Sequence, residues 1–445
     1  MKKLILFISL MLIPVSSFAD AGFMGELSLT PTSGVSVTAY GMIWDADADT
    51  YLIGTVTDGT FTEEAVTSFP IQEKMKRCTL QDNGTVNYYL DASNSTLKAG
   101  GVTASVLDGT DGQVMVEIPQ FYYVQAQAGD NRYFFVADGE FTLTLSDDST
   151  ETAVIHPVFY KGGSATPSDY RYVGAYEASM YDDSTGAMTA SGSIASNLYA
   201  SDDKMCSVSG TYPKTTENIT EYRDMAAARA TGWHQFDQAT HAAVSILYLT
   251  EYGDFDAQTQ IGMGRTTLSG GAWEAGSYIG QCGLSDSGGN ATGNVSNGGT
   301  SYATDYMSYR GIENWYGHVW KFVDGANVNN STANGSQLYT CTDYTDFASD
   351  TAAGYTLSGN LAADDGYVAD IVDTAGIWPV SVGGNNATYL CDYYYTYFDN
   401  DPTIGWRVVL VGGLAYSGSY AGPFCVNSHC GSSSAGAHVG GRLCY

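Results

Sequence analysis

Basic residues are scarce in this sequence, in which 18 Lys and Arg stand against 48 Asp and Glu and the formal net charge is −30. Nucleic acids and anionic membranes are bound through basic surface, so this charge disfavours both as partners. After the N-terminal apolar run, no segment approaches the ~18 apolar residues that a membrane-spanning helix needs. We therefore expect a soluble chain whose acidity serves solubility in an extracellular setting.

Motifs for metal binding and hydrolysis are also missing. The eight cysteines contain no C-x-x-C pair, so a structural zinc site is not expected. Their even number permits all of them to form disulfides, but the sequence does not determine which cysteines pair. Asp45, Asp47 and Asp49 begin like a calcium loop, but Thr50 stands where that loop needs glycine. No G-x-S-x-G elbow is followed by suitable Asp and His residues. We expect no metal, no cofactor and no enzymatic activity.

Residues 1–19 have the layout of a cleaved signal peptide. Lys2 and Lys3 form a basic start, Leu4–Val15 is a short apolar run, and Ser17 and Ala19 are the small residues before the cleavage point. The mature chain is therefore predicted to be exported, to the periplasm, to the cell surface or into the medium.

Residues 20–155 are predicted to form a β-rich N-terminal domain, since β-branched and aromatic runs alternate there with Asp, Gly and Asn turns. Two helices follow, at Asn218–Arg229 and Asp237–Tyr252. The first begins with a capping box, and the second has one apolar side and stops at Gly253. The predicted strands are Val35–Trp44, Val86–Leu90, Val114–Ile118, Phe121–Gln127 and Tyr133–Val136.

One segment, Ser308–Gly325, is dense in aromatic and charged residues. Arg310, Glu313 and His318 can be interpreted as the anion clamp, acid and base of a catalytic site. The structural interpretation, which we favour, is a buried ion pair between Arg310 and Glu313 that fixes a turn between buried tryptophans.

Three segments, Gly317–Phe322, Trp406–Gly413 and Gly440–Leu443, resemble in order and spacing the signatures of the formylglycine-generating-enzyme-like version of the C-type lectin fold. The resemblance implies an α+β fold class, with a C-type-lectin-like domain over residues 156–445 behind the β-rich domain. The residues expected to hold its frame are Trp315, Trp320, Trp406 and Arg442.

A second set of segments extends over nearly the whole mature chain: Tyr40–Asp45, Pro70–Cys78, Asn83–Asp91, Gly112–Pro119, Tyr172–Glu177 and Gly232–Gln235. Together they resemble a family of phage and prophage structural proteins. In that family the C-terminus is often the variable protein of a diversity-generating retroelement, which randomises template adenines, mostly in Asn (AAY) codons. The resemblance implies a variable region at about 412–445. Trimeric display is common among such relatives.

The composition of residues 412–445 agrees with that origin. Randomised AAY codons cannot encode Lys, Glu, Gln, Met or Trp, and none of these five occurs there. Mixed Tyr, Ser, Gly and His side chains provide adaptable contacts, as in antibody paratopes. The expected ligand contacts are Tyr416, Ser417, Ser419, Tyr420, Asn427, Ser428, His429, Cys430, Gly436 and His438.

Together these features predict an exported receptor- or adhesin-type protein that presents a diversified C-terminal surface to a protein or cell-surface ligand. One alternative is a fixed structural or adhesion protein derived from a phage tail. Another is a copper-dependent oxidase of the formylglycine-generating type that uses Cys425 and Cys430. A phage-encoded copy would place the protein in the virion, where a signal peptide is not needed.

Overall fold

The computed structural model describes residues 29–30, 37–57, 60–188, 198–268, 279–296, 305–371, 376–396 and 404–445. The predicted signal peptide at residues 1–19 lies outside these segments. Among the residues described, no helix is both long and apolar enough to cross a membrane.

Strands account for most of the regular structure. The first group is β1 (Leu29–Thr30), β2 (Thr38–Asp45), β3 (Thr50–Thr57), β4 (Thr60–Glu63), β5 (Lys76–Leu80), β6 (Val86–Asp91), β7 (Asn94–Lys98), β8 (Gln113–Pro119), β9 (Tyr122–Ala128), β10 (Asn131–Ala137), β11 (Thr142–Thr144), β12 (Thr150–Thr152) and β13 (Val154–Ile155). The middle group is β14 (Tyr170–Gly174), β15 (Ser179–Asp182), β16 (Ala187–Met188), β17 (Lys204–Cys206), β18 (His234–Gln235), β19 (Gly293–Ser296), β20 (Asp305–Tyr309) and β21 (Ile312–Glu313). The last group is β22 (Trp320–Ser331), β23 (Gly335–Thr340), β24 (Thr356–Leu361), β25 (Gly366–Ile371), β26 (Pro379–Val382), β27 (Tyr393–Tyr395), β28 (Gly405–Val411), β29 (Val426–Asn427), β30 (Val439–Gly440) and β31 (Leu443–Cys444).

The described segments hold only three α-helices, all short: α1 (Ile219–Ala227), α2 (Gln238–Tyr252) and α3 (Ala257–Ile261). The chain is therefore β-rich, and the α+β expectation is wrong. The two predicted helices do form, but many strands of two or three residues surround them. Strands this short leave no period-two pattern in the sequence, so their contribution to the fold class was underestimated.

The ends of the two longer helices follow from local chemistry. The Asn218 side chain accepts hydrogen bonds from the first-turn backbone of α1, and the Glu221 carboxylate accepts one from the Asn218 N–H, which completes the capping box. Asp237 caps α2, and Gly253 ends it with φ 58°, in the left-handed region that glycine adopts at low cost. Both capping predictions are confirmed.

Helix α2 lies at the centre of the molecule. It packs against β2 and β10 on one side and against β22 on another, and Gln238–Thr250 are all buried. A helix buried on every side is enclosed by core, whereas the sequence predicted a single apolar side. Because of this position, α2 links the N-terminal sheet to the C-terminal one.

Two sheets contain most of the N-terminal strands. A six-stranded sheet has the order β13-β9-β10-β2-β3-β4, and a seven-stranded sheet has the order β18-β31-β14-β8-β5-β6-β7. The seven-stranded sheet joins strands from both sides of the predicted boundary at residues 155 and 156. One continuous cluster of buried apolar side chains likewise includes Trp44, Phe134, Trp378 and Val426.

The C-terminal half is organised by the sheet order β24-β23-β22-β28-β29-β27-β25-β26, with β30 pairing to β22. Strand β29 lies between β28, to which it is antiparallel, and β27, to which it is parallel. After β28, Gly412 and Gly413 turn the chain with φ of 92° and 75°, a conformation that favours glycine. The turn brings residues 414–439 across the end of this sheet.

Candidate ligand-binding groove

A groove of about 860 Å³ opens where the C-terminal segment crosses the sheet. Its volume is within the ~300–1,000 Å³ range of small-molecule sites. The residues that line it are Trp320, Tyr395, Leu414, Tyr416, Ser417, Tyr420, Asn427, His429, Cys430, Ser434, Ala435, Gly436, His438 and Val439.

All of the predicted ligand contacts except Ser419 and Ser428 line this groove. Ser419 is exposed at its rim, with its Oγ 3.3 Å from the Tyr367 hydroxyl. The structure thus brings eight of the ten predicted contacts to one concave surface. That these side chains bind a ligand stays a prediction.

Ser428 does not point outward, and the sequence prediction is wrong on its orientation. It is fully buried, and its Oγ lies 2.6 Å from the Tyr394 hydroxyl. Side chains alternate between the two faces of a strand, so Ser428 follows buried Val426 while Asn427 faces the groove. The same alternation was available in the sequence.

The expected frame residues divide into two groups. Trp315, Trp320 and Arg442 are buried, and Trp320 also forms part of the groove floor. Arg442 donates hydrogen bonds to the carbonyl oxygens of Gly174, Glu313 and Asn314 at 2.6–3.0 Å. Trp406, the fourth expected frame residue, is not in the core: it is only half-buried and packs on the Tyr339 ring at 5.5 Å between centroids.

Side chains from outside the C-terminal segment hold its backbone. The Gln258 amide donates to the carbonyl oxygens of Gly418 and Ala421 at 2.8 and 2.6 Å. His241 Nε2, on α2, donates to the Pro423 carbonyl at 2.9 Å. The anchors use main-chain atoms of the segment, so they do not depend on which side chains it carries.

Main-chain bonds to neighbouring strands complete this support. The Gly412 N–H donates to the Cys425 carbonyl and the Val408 N–H to the Cys430 carbonyl, both at 2.9 Å. The Trp320 N–H donates to the His438 carbonyl, also at 2.9 Å. The loop between β28 and β30 is therefore an ordered scaffold rather than a flexible Ser/Gly tail.

Tyrosines outside the predicted variable region lie in or beside the groove, and the sequence did not predict them: Tyr395 lines it, and Tyr393 packs next to it. Tyr393 and Tyr395 lie on one face of β27, with ring centroids 4.7 Å apart. The Tyr393 ring lies 4.5 Å from that of Tyr420, and the Tyr395 ring 5.9 Å from that of Trp320. The groove is formed by residues far along the chain. A Tyr-Tyr-Tyr run therefore does not indicate which of its side chains face it.

The described residues that line the groove include no Asp, Glu, Lys or Arg, so none of them contributes a formal charge of these kinds. Burial lowers the pKa of His438 to about 4, so this imidazole is neutral at neutral pH. In a chain with a net charge of −30, a charge-free surface is suited to an uncharged ligand group, because an ionised one would lose hydration without gaining a counter-ion.

The predicted pair between Arg310 and Glu313 does not form. The Arg310 guanidinium instead pairs with Glu251. The Glu313 carboxylate accepts hydrogen bonds from the backbone N–H groups of Gly283 and Ser285 at 2.9 and 2.7 Å. These partners lie 28 to 59 residues away along the chain. A local sequence pattern cannot predict partners at such separations.

His318 and Lys321 both pair with buried Glu177, with Lys321 Nζ 3.1 Å from Glu177 Oε1. The Gly280 N–H donates to His318 Nε2 at 3.0 Å, so both ring nitrogens are engaged. Burial lowers the pKa of His318. These residues form an internal network, separate from the groove.

Among the described residues, the one cluster with the proximity needed to share a metal is His234, Asp237 and Cys444. The Arg171 guanidinium contacts both His234 and Asp237. It already supplies a cation to this carboxylate, which disfavours a metal ion at the same place. In the Asp45–Asp49 turn, Asp49 accepts hydrogen bonds from Trp44 Nε1 and from the N–H of Tyr389 in a distant segment.

All eight cysteines lie in described segments, and none forms a disulfide. Cys425 is fully buried, whereas Cys430 is half-buried in the groove. Burial raises the pKa of both thiols. This opposes the thiolate form that binds copper.

No family model matches the chain, and no curated protein matches it. Four chains of solved structures match this chain in a structural comparison, among them two variants of one protein. The "Major Tropism Determinant P3c Variant" is 14% identical over 94% of this chain and 82% of its own, with a TM-score of 0.25. The "Major Tropism Determinant U1 Variant" is 13% identical over 90% of this chain and 93% of its own, with a TM-score of 0.26. Superpositions this loose do not establish a shared fold.

Proposed function

We propose that the chain is an exported ligand-binding protein of receptor or adhesin type, and that the groove over residues 414–439 is its recognition surface. The observation that carries the proposal is a division between the backbone of this segment, which is held in place, and its side chains, which are open to a ligand. Its backbone is held by Gln258, His241 and neighbouring strands, while side chains such as Tyr416, Tyr420 and His429 line an open groove.

This division supports a diversified surface. Substituting a partly exposed side chain whose backbone is held independently costs little stability, typically within about 0.5 kcal/mol. Changes at Tyr420 or His429, both exposed, would therefore alter recognition without unfolding the scaffold. We accordingly propose that the segment is the target of a diversity-generating retroelement, and that the protein has no catalytic role.

The test is binding of the full-length mature chain, fluorescently labelled, to a panel of intact bacterial cells. We expect Tyr420→Ala and His429→Ala to lower binding several-fold on any cell that the parent binds. Tyr170→Ala is the matched control, because Tyr170 is exposed to the same 40% as Tyr420 but lies on β14, in a different sheet.

Thermal unfolding of each variant checks that the scaffold is intact. Equal binding by the parent and both groove variants would overturn the proposal. An equal loss in the Tyr170→Ala control would do so as well, since it would show that the effect is not specific to the groove. A fixed adhesion protein would pass this test too, and the genetic measurement that closes the Discussion separates the two.

A further inference from the structure

Beside the proposed recognition groove lies an aromatic surface to which residues outside the C-terminal segment contribute. Four tyrosines meet there, two from β27, one from β25 and one from the short turn Gly418–Tyr420. Their ring centroids are 4.5–5.5 Å apart in the pairs Tyr393–Tyr420, Tyr367–Tyr393 and Tyr367–Tyr420. We name Tyr367, Tyr393, Tyr395 and Tyr420 the tyrosine platform.

Two members of the platform, Tyr395 and Tyr420, line the groove, and Tyr367 and Tyr393 pack beside Tyr420. Tyr367, Tyr393 and Tyr395 are half-buried and Tyr420 is 40% exposed. Tyr394, between two members on β27, points the opposite way and is fully buried. A strand that places two tyrosines on the open face and one in the core presents rigid aromatic surface at low entropic cost.

Polar groups without formal charge lie beside these rings. Ser417, Asn427 and Ser434 line the groove together with the hydroxyl-bearing rings of Tyr395 and Tyr416. A ligand that fits this surface needs an apolar face for the aromatic rings, hydroxyl groups for the Ser, Asn and Tyr side chains, and no ionised group.

A pyranose ring of a neutral sugar has these properties, because its axial C–H bonds form an apolar face and its hydroxyls form a polar edge. A charged peptide or an acidic sugar would meet no counter-ion in the described lining. A protein partner would need an interface of about 800 Å² on each side, usually with a charged rim. Resting on the proposed function, we infer that the tyrosine platform binds the pyranose rings of an uncharged oligosaccharide.

In this inference, Tyr393 and Tyr395 provide the constant part of the site. They lie outside residues 412–445, so variation within that region would change the polar contacts and the Tyr420 ring but leave these two rings in place. Affinity for a sugar ring would then be shared by all variants, while the identity of the sugar would depend on positions such as Tyr416 and Asn427.

The experiment uses the full-length mature chain and defined trisaccharides as probes. Neutral maltotriose, cellotriose and chitotriose are compared with an acidic oligogalacturonate at about 5 mM, by saturation-transfer NMR and by Trp fluorescence, because Trp320 is in the groove floor. We expect at least one neutral probe to bind and the acidic one to fail.

Loss of one stacking ring should weaken binding about five- to tenfold in Tyr393→Ala and Tyr395→Ala. Tyr395→Phe should restore most of the affinity, because it keeps the ring, and Tyr170→Ala should have no effect. The phenylalanine variant keeps the test informative if an alanine variant is unstable.

Binding of no neutral probe, or equal binding of the acidic one, would overturn the saccharide inference. So would an uncharged Gly/Ser/Tyr peptide that binds where all sugars fail. Each of these results leaves the cell-binding assay unaffected, so the inference can fail while the proposed recognition function stands. Unchanged cell binding by both Tyr420→Ala and His429→Ala is the separate outcome that would remove both.

Discussion

The hydroxyl groups of Tyr394 and Ser428 lie 2.6 Å apart in the buried layer beneath the groove. This contact joins β27 to the residue after β29, so it links the fixed tyrosine strand to the C-terminal segment. It also marks the boundary between side chains that hold the scaffold and side chains that are open to a ligand.

Ser428→Ala removes one partner of that contact and should destabilise the protein by about 1 kcal/mol. Cell binding should be unchanged at temperatures where the variant is folded, because Ser428 is buried. Urea unfolding and the cell-binding assay measure the two effects. Reduced binding with full stability would instead mean that Ser428 reaches the ligand.

Asn218→Ala should destabilise the protein by about 1 kcal/mol, because the Asn218 side chain accepts hydrogen bonds from the N–H groups of Thr220 and Glu221 at the start of α1. Thr220→Ala is the control, since Thr220 is exposed in the same turn. Urea unfolding of both variants is the measurement. Equal midpoints would show that the capping box contributes nothing measurable.

Arg442→Lys should destabilise the protein by about 2–3 kcal/mol, because an ammonium cannot reproduce the fork that reaches three carbonyl oxygens. Arg407→Lys is the matched control, since Arg407 is half-buried and makes its 2.7 Å hydrogen bond to the adjacent Trp406 carbonyl. Denaturant unfolding compares them. Similar losses in both variants would contradict a special role for Arg442.

Glu313→Gln should change how stability depends on pH. Burial raises the pKa of Glu313 to about 7 from an ordinary 4.5, against the lowering effect of Arg77 and the bond from Ser285. Between these values the unfolded chain has lost a proton that the folded protein retains, so stability contributed by Glu313 falls as pH rises from 4.5 to about 7.

The glutamine variant does not titrate, so this component of the slope should disappear. The stability of the parent relative to the variant should fall by roughly 1–3 kcal/mol across that window. Urea unfolding at pH 4.5, 5.5, 6.5 and 7.5, values chosen to span about the titration range, is the measurement. Parallel profiles would show that Glu313 has the same proton affinity in the folded and unfolded states.

Helices α1 and α2 could be predicted because their signals are local. A capping box spans four residues, and Gly253 follows directly on the helix that it ends. The same is true of the longer N-terminal strands, such as β8 and β10, which match the predicted runs within three residues at either end.

The rest depended on contacts between distant parts of the chain. Arg310 finds Glu251 and His318 finds Glu177, at separations of 59 and 141 residues, and no spacing rule specifies such partners. The Tyr393 and Tyr395 platform was missed for the same reason. Ser428 is different, because its burial follows from local alternation after buried Val426, which the prediction of an outward contact did not take into account.

The measurement that tests the central claim most directly is the DNA sequence around the gene. The proposal predicts a near-copy of the codons for residues 412–445 beside a reverse-transcriptase gene. The two copies should differ only where the near-copy has adenines. The differences should fall in codons for groove-facing residues such as Tyr416, Tyr420 and His429, and should spare buried Val426 and Ser428. Absence of such a copy, or differences spread over the buried codons, would contradict a diversified recognition surface.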